Sequence, residues 1–164
     1  MSLPTRQNQR ARWFPTPPRW LIPWASRFQI WIYEKSGGRL YTKTMRMHHL
    51  LLRTVGRRSG GRAVACLPFW LDTGEQRIVV ASLAGGPRHP AWFHNLSDRE
   101  SNPEVVVRDK RRVFWARADI LEGEDREAVW TEMTLDRPFY LRYQAKTERQ
   151  LPLVRLVETR SYDP

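Results

Sequence analysis

Two glycine-bearing, cationic turns bracket a single strand hairpin, and no other feature constrains this chain as strongly. The first is Gly56-Arg57-Arg58-Ser59-Gly60, and the second is Ala84-Gly85-Gly86-Pro87-Arg88-His89, which runs into a helix from Pro90. Between them lie two short apolar runs, Ala63 to Leu71 and Arg77 to Ser82, separated by the turn Asp72-Thr73-Gly74-Glu75. Runs of this length bounded by turn residues read as strands. The same grammar recurs elsewhere. His49 to Val55 precedes the first turn, Glu104 to Arg108 and Arg111 to Leu121 flank Asp109-Lys110, and Leu151 to Val157 forms a last strand. Helical patterns follow Pro23 and Pro90, and occupy Gly123 to Leu135 and Pro138 to Tyr143. In the third of these, Val129, Trp130 and Met133 share one face. Antiparallel hairpins with helices as insertions predict an α+β domain built on a small barrel.

The chain has 164 residues, 41% of them hydrophobic, which suits one domain with a sizeable core. No apolar run approaches the roughly 20 residues of a membrane span. Met1 to Arg12 lacks the apolar stretch of a signal peptide, so a cytoplasmic location is expected. Cys66 is the single cysteine, which excludes an internal disulfide and a cysteine-based metal cage and reads as a small buried hydrophobe. The net charge is +11. A nucleic acid, an anionic membrane surface or a polyanionic small molecule would each answer it.

Residues 1–36 form a basic, Trp-rich segment distinct from a domain over residues 37–164. Arg6, Arg10, Arg12, Arg19 and Arg27 interleave with Trp13, Phe14, Trp20, Trp24, Phe28, Trp31 and Tyr33, and no acid precedes Glu34. Pro15, Pro17, Pro18 and Pro23 exclude a long regular helix before Trp24. Trp24, Phe28 and Trp31 then fall at i, i+4 and i+7, one stripe of a short helix. Such a stripe either docks on the domain, rests on an anionic membrane or covers a ligand cleft.

Catalytic constellations are scarce. There is no H-E-x-x-H, no G-x-S-x-G and no paired-carboxylate signature. His48 and His49 open a strand and are assigned no role; His89 and His94 are poorly spaced for a metal, and none is expected. A chain of this kind takes its chemistry from a cofactor and supplies binding and orientation. The two turns suit an extended anionic ligand. Arg forks bind phosphate and carboxylate oxygens, Gly85-Gly86 permits close backbone approach, and a helix beginning at Pro90 favours anions.

The segment Gly37-Gly38-Arg39, the run Leu50 to Gly60, Val79-Val80-Ala81-Ser82, the stretch Gly85 to Leu96, Asn102-Pro103, Tyr140, Tyr143-Gln144 and Thr147 to Pro152 together resemble the deazaflavin-dependent nitroreductase family, in order and close to spacing. The resemblance spans roughly Gly37 to Pro152. It implies a split β-barrel of the FMN-binding type, mainly antiparallel, with peripheral helices. It also implies reduced 8-hydroxy-5-deazaflavin (coenzyme F-420) as hydride donor to a quinone, enone or nitroaromatic acceptor, with FMN as the less suited cofactor; no nucleic acid is expected as a partner, an accessory nucleic-acid binder using the basic, aromatic amino-terminus being a third reading. The coenzyme's phosphorylated, glutamylated tail answers the charge. By resemblance, Arg57, Arg58, Ser59, Gly60 and Arg62 hold that tail, and Leu67, Ala81, Ser82, Leu83, Ala84 and Gly85 lie along the ring. Ala91, Trp92 and Asn95 fix its polar end, and Tyr140 and Tyr143 cap the acceptor side. A third tyrosine of some members falls on Arg137. The alternative is a non-catalytic split-barrel protein for a fatty acid, a tetrapyrrole or a flavin. The expected assembly is a monomer or homodimer, with peripheral contact to the inner face of the plasma membrane through residues 1–36.

Overall fold

Strand β2 (Met47–Val55) is buried or half-buried as far as Thr54, because one face turns into a barrel and the other is covered by helices. It pairs antiparallel with β3 (Arg62–Leu71) across the first cationic turn. β4 (Arg77–Val80), β7 (Leu153–Ser161), β6 (Arg112–Ile120) and β5 (Val105–Asp109) follow in spatial order. β5 then pairs back onto β2, with Leu51 opposite Arg108, and six strands close into an antiparallel barrel. A two-residue strand, β1 (Lys43–Thr44), adds to the edge of β2. The structure, a computed structural model, describes residues 9–11, 18, 21–44 and 46–163, with Ile22 and Pro23 as backbone only. The readings for Arg6, Arg12, Trp13, Phe14, Pro15, Pro17, Arg19 and Trp20 lie outside the described residues.

Period-two alternation sorts the side chains into two cores. Leu50, Leu52, Phe69, Leu71, Val107 and Phe114 fill the barrel. The intervening Met47, Trp70 and Ile78 face outward, where α3 (Gly123–Asp136) and α4 (Phe139–Gln144) cover them with Val129, Met133, Phe139, Tyr140 and Tyr143. Each such buried side chain contributes about 1.5–3 kcal/mol. Trp70 donates its indole N–H to Asp136 at 2.9 Å, which satisfies the one polar atom this burial takes from water. Between β4 and the end of β5, Arg77 and Asp109 form a buried pair at 2.8 Å, with the guanidinium 4.8 Å from the Phe114 ring centroid.

The helix after Pro23, α1 (Ile22–Lys35), ends at Gly37 and Gly38, both at positive φ. A Cβ on Gly38 would stand 1.8 Å from the Lys110 carbonyl oxygen, so only glycine allows this approach. The last turn of α1 clamps onto the barrel. Tyr33 is fully buried; its hydroxyl donates to the His49 carbonyl at 3.1 Å and accepts from the Lys110 N–H at 2.7 Å. Glu34 accepts from Arg53 at 3.2 Å and Arg62 at 2.8 Å. The aromatic stripe is not the docking face: Trp24, Phe28 and Trp31 are 69%, 57% and 57% exposed.

Three expectations need adjustment. The strand expected over Arg77 to Ser82 stops at Val80, because the chain leaves the sheet through residues of positive φ. The last strand runs on to Ser161, where its pairing with Phe114 continues the barrel seam. Cys66 is only partly buried.

Candidate active site

The second glycine-bearing loop folds into one 3-10 turn, Leu83–Gly85, in which Leu83, Ala84 and Gly85 have φ of 44°, 53° and 79°. The left-handed region costs a residue with a Cβ about 1–2 kcal/mol, so two such residues in succession need external support. Arg149 provides it. Its guanidinium donates to the carbonyls of Ala81 at 3.1 Å, Ser82 at 2.9 Å and Gly86 at 2.9 Å, and lies 3.1 Å from His89 Nδ1. Gly85 seats against α4, where an added Cβ would stand 2.6 Å from the Tyr143 carbonyl oxygen. Gln144 fixes the segment carrying Arg149 by donating to the Arg149 carbonyl at 2.9 Å and accepting from the Leu151 N–H at 2.9 Å.

This loop forms one wall of a cavity of about 380 Å3. Ser82, Leu83 and Ala84 face α1 and β3 across it, and Trp92, Tyr140 and Tyr143 also line it. β3 contributes Val64 to Pro68, including the expected Leu67, whereas Phe69 turns into the barrel core. Cys66 lines the cavity as well, with burial pushing its thiol up to about 12. Ala81 and Gly85 are buried behind the loop, and Ala91 is exposed at the start of α2 (Ala91–Ser97).

The cationic turn stands outside this cavity, and α2 joins the two. Trp92 lines the cavity; one helical turn further on, about 4.5 Å along the axis, Asn95 Oδ1 accepts from the Arg57 N–H at 3.1 Å. The Asn95 amide also donates to Thr54 Oγ1 at 3.2 Å. Asn102, 2% exposed, accepts from the Val55 N–H at 2.7 Å and donates to the carbonyls of Val55 and Asn95. Within the turn, Gly60 donates to the Gly56 carbonyl at 2.7 Å, and Gly61 to Ser59 Oγ at 3.2 Å. Arg57, Arg58, Ser59 and Gly60 are exposed. Arg62 is exposed too, and its guanidinium is engaged by Glu34 of α1.

The electrostatics divide along the same line. Burial raises the hydroxyls of Tyr140 and Tyr143, and Tyr140 adds to the shift of Tyr143, so both remain O–H donors near neutral pH. Burial, with Arg137 nearby, pushes His49 down to about 4, so its ring is neutral. The titratable wall of the cavity is therefore uncharged, while the arginines project beyond it. Arg137, 1% exposed, donates to the Phe69 carbonyl at 2.6 Å and bonds Tyr140, which makes it a brace for β3 and α4. Among the described residues, no cluster of His, Cys, Asp and Glu could hold a metal ion.

Sequence reasoning missed three contributors. Arg149 and Asn102 stand in the resemblance as motif letters, and their work is carried by contacts 60 or more and 47 residues away. His49 gives no signal in the sequence, because nothing in one strand says which face meets a cavity.

The family model for the F420H(2)-dependent quinone reductases matches residues 24–158. The chain belongs to this family. It is thus a deazaflavin-dependent oxidoreductase on the split-barrel fold. The F420H(2)-dependent quinone reductase Rv1261c of Mycobacterium tuberculosis is 32% identical over 110 residues, which are 64% of this chain and 70% of the relative. A putative F420H(2)-dependent quinone reductase of the same organism, Rv3178, is 31% identical over 105 residues, covering 64% of this chain and 85% of the relative. Among solved structures, an F420-H2 dependent reductase (FDR-A) superposes with a TM-score of 0.55 at 34% identity, covering 66% of this chain and 92% of that one. A chain described as a domain-swapped dimer gives 0.56 at 31% identity, covering 77% and 97%.

Proposed function

We propose that the cavity holds the deazaflavin ring against β3 and the 3-10 turn, with an uncharged quinone on its open side and the anionic tail on the cationic turn. The separation of charge carries this reading: a neutral, largely apolar cavity adjoins an exposed Arg pair, linked through one helix. A ring system with a charged tail matches that division. When bound, the reduced coenzyme supplies a hydride for the acceptor. The residues of the chain do the rest. Leu67, Ser82, Leu83, Ala84 and Trp92 confine the ring, and Ala81 and Gly85 shape the loop behind it. Arg57, Arg58, Ser59 and Gly60 hold phosphate and carboxylate oxygens, with Arg62 and Ala91 at the edge of the path. Asn95 sets the turn in place through Arg57. Tyr140 and Tyr143 present hydroxyls on the acceptor side.

Titration with deazaflavin and FMN tests the arrangement. The deazaflavin binds more tightly, and Arg58→Ala weakens it at low salt by about 1.5–3 kcal/mol, a loss that shrinks as salt rises. Tighter binding of FMN, or an Arg58→Ala protein with wild-type affinity at low salt, would remove the tail from this turn.

A membrane contact is the second element of the reading. α1 lines the cavity with Ala25, Ser26, Gln29 and Ile30 while turning Trp24, Phe28 and Trp31 to solvent beside Arg27 and Lys35. Aromatic rings flanked by cations suit the headgroup region of an anionic bilayer. A helix so placed would bring the cavity close to lipid-borne quinones.

A further inference from the structure

Two residues that line the cavity carry a buried polar side-chain atom with no hydrogen-bond partner among the described residues, His49 at Nδ1 and Tyr143 at its hydroxyl; otherwise the Met47 backbone approaches the His49 ring. These side chains belong to residues only 3% and 7% exposed. Much of the wall is carbon, contributed by Met47, Val64, Leu67, Pro68, Val80 and Phe139. A buried polar atom is expensive to leave unpaired, and in a carbon-lined cavity its natural partner is a polar atom of the ligand.

The backbone that carries the His49 imidazole is fixed beside the cavity. The His49 N–H donates to the Thr42 carbonyl at 2.8 Å, and its carbonyl accepts from the Tyr33 hydroxyl at 3.1 Å. Its strand partner across the sheet is Pro68, which lines the same cavity. These contacts fix the strand, and with it the point at which the ring leaves the backbone. In its neutral form the ring attracts no anion, so the site favours an uncharged oxygen-bearing acceptor over a carboxylate. A neutral imidazole offers at Nδ1 an N–H in one tautomer and a lone pair in the other. A quinone carbonyl oxygen matches the first, and the hydroxyl of its reduced form matches the second.

We propose that His49 determines acceptor specificity by hydrogen-bonding, through Nδ1, an oxygen of the quinone in this cavity. The inference rests on the reading of the cavity as the quinone site. His49→Leu and His49→Asn in the full chain test it, with menadione as the probe. Menadione affinity is measured by calorimetry on protein loaded with oxidised deazaflavin, and KM by turnover of the reduced coenzyme. Removing one buried hydrogen bond should raise both the menadione Kd and its KM about tenfold in His49→Leu. His49→Asn, whose amide restores a polar atom near Nδ1, should recover most of the loss. The deazaflavin Kd should be the same in all three proteins. His49→Val, a good strand former, replaces the Leu variant should that one not fold. Unchanged menadione Kd and KM in the apolar variant, with wild-type turnover intact, overturn the role of His49 and leave the quinone reading standing. A loss that Asn does not recover, or one shared by deazaflavin affinity, assigns His49 to structure and also overturns it. Wild-type protein that fails to oxidise the reduced coenzyme with any quinone overturns both.

Discussion

Arg149→Ala tests whether the loop beside the ring is held by one distant side chain. The guanidinium makes three hydrogen bonds, of 2.9–3.1 Å, to the carbonyls of Ala81, Ser82 and Gly86. The site is partly open to water, so each is worth nearer 1 kcal/mol than the upper figure for charged donors. Together they supply about 3 kcal/mol toward a turn in which Leu83 and Ala84 carry positive φ. Without them the loop relaxes, and binding must order it again. A debt of about 3 kcal/mol raises the deazaflavin Kd by about 100-fold. Lysine at 149 restores a charge without the planar fork, so Arg149→Lys should recover only a minor part. Fluorescence titration gives the Kd, and hydrogen exchange at the amides of residues 82–86 reports the loop without cofactor. Wild-type affinity together with wild-type exchange in Arg149→Ala would show that the loop holds its shape without this side chain.

Gly85→Ala places a Cβ 2.6 Å from the Tyr143 carbonyl oxygen at φ +79°, so urea melts should show a loss of about 3 kcal/mol and turnover should fall with it; an unaltered melt would show that the loop has room. His49 gives a pH signature. Its folded pKa of about 4 lies below the ordinary 6.5, so the unfolded chain binds the proton first as pH falls. The stability is present above pH 6.5 and is lost as pH drops toward 4, by about 2 kcal/mol between pH 7 and 4.5. His49→Leu should flatten that part of the profile, and an unchanged slope would place the titration elsewhere. Replacing Trp24, Phe28 and Trp31 with serine should reduce co-sedimentation with anionic vesicles about tenfold or more and leave deazaflavin affinity unchanged; full retention on the vesicles would remove the membrane contact.

Much of the fold is legible in the chain because its strands are short and its turns are marked by Gly, Pro and Asp. β2, β3, the hairpin at Asp72 and both sides of Asp109-Lys110 are set by local chemistry, and their boundaries are close to those read from sequence. Closure of the barrel is not local. It depends on Leu51 lying opposite Arg108, a pairing across nearly sixty residues that no pattern within either strand encodes. The aromatic stripe of α1 was visible, but its direction was not. Docking is decided by Tyr33 and Glu34, one buried and one ion-paired, rather than by the most apolar face. In the site, residues of the glycine loop were legible because glycine marks unusual backbone. Arg149 was not, since a surface-type residue after α4 gives no sign that it reaches back to Ala81.

Everything in the site turns on the passage of a hydride from reduced deazaflavin to a quinone. Purified protein mixed anaerobically with the reduced coenzyme and menadione tests it most directly, through the visible absorbance of the oxidised coenzyme. The expected result is saturable, enzyme-dependent recovery of that absorbance that requires both coenzyme and quinone, with no enzyme-dependent rate when reduced FMN takes the coenzyme's place. Tight binding of the coenzyme with no quinone-dependent oxidation would contradict it and leave a split-barrel binding protein.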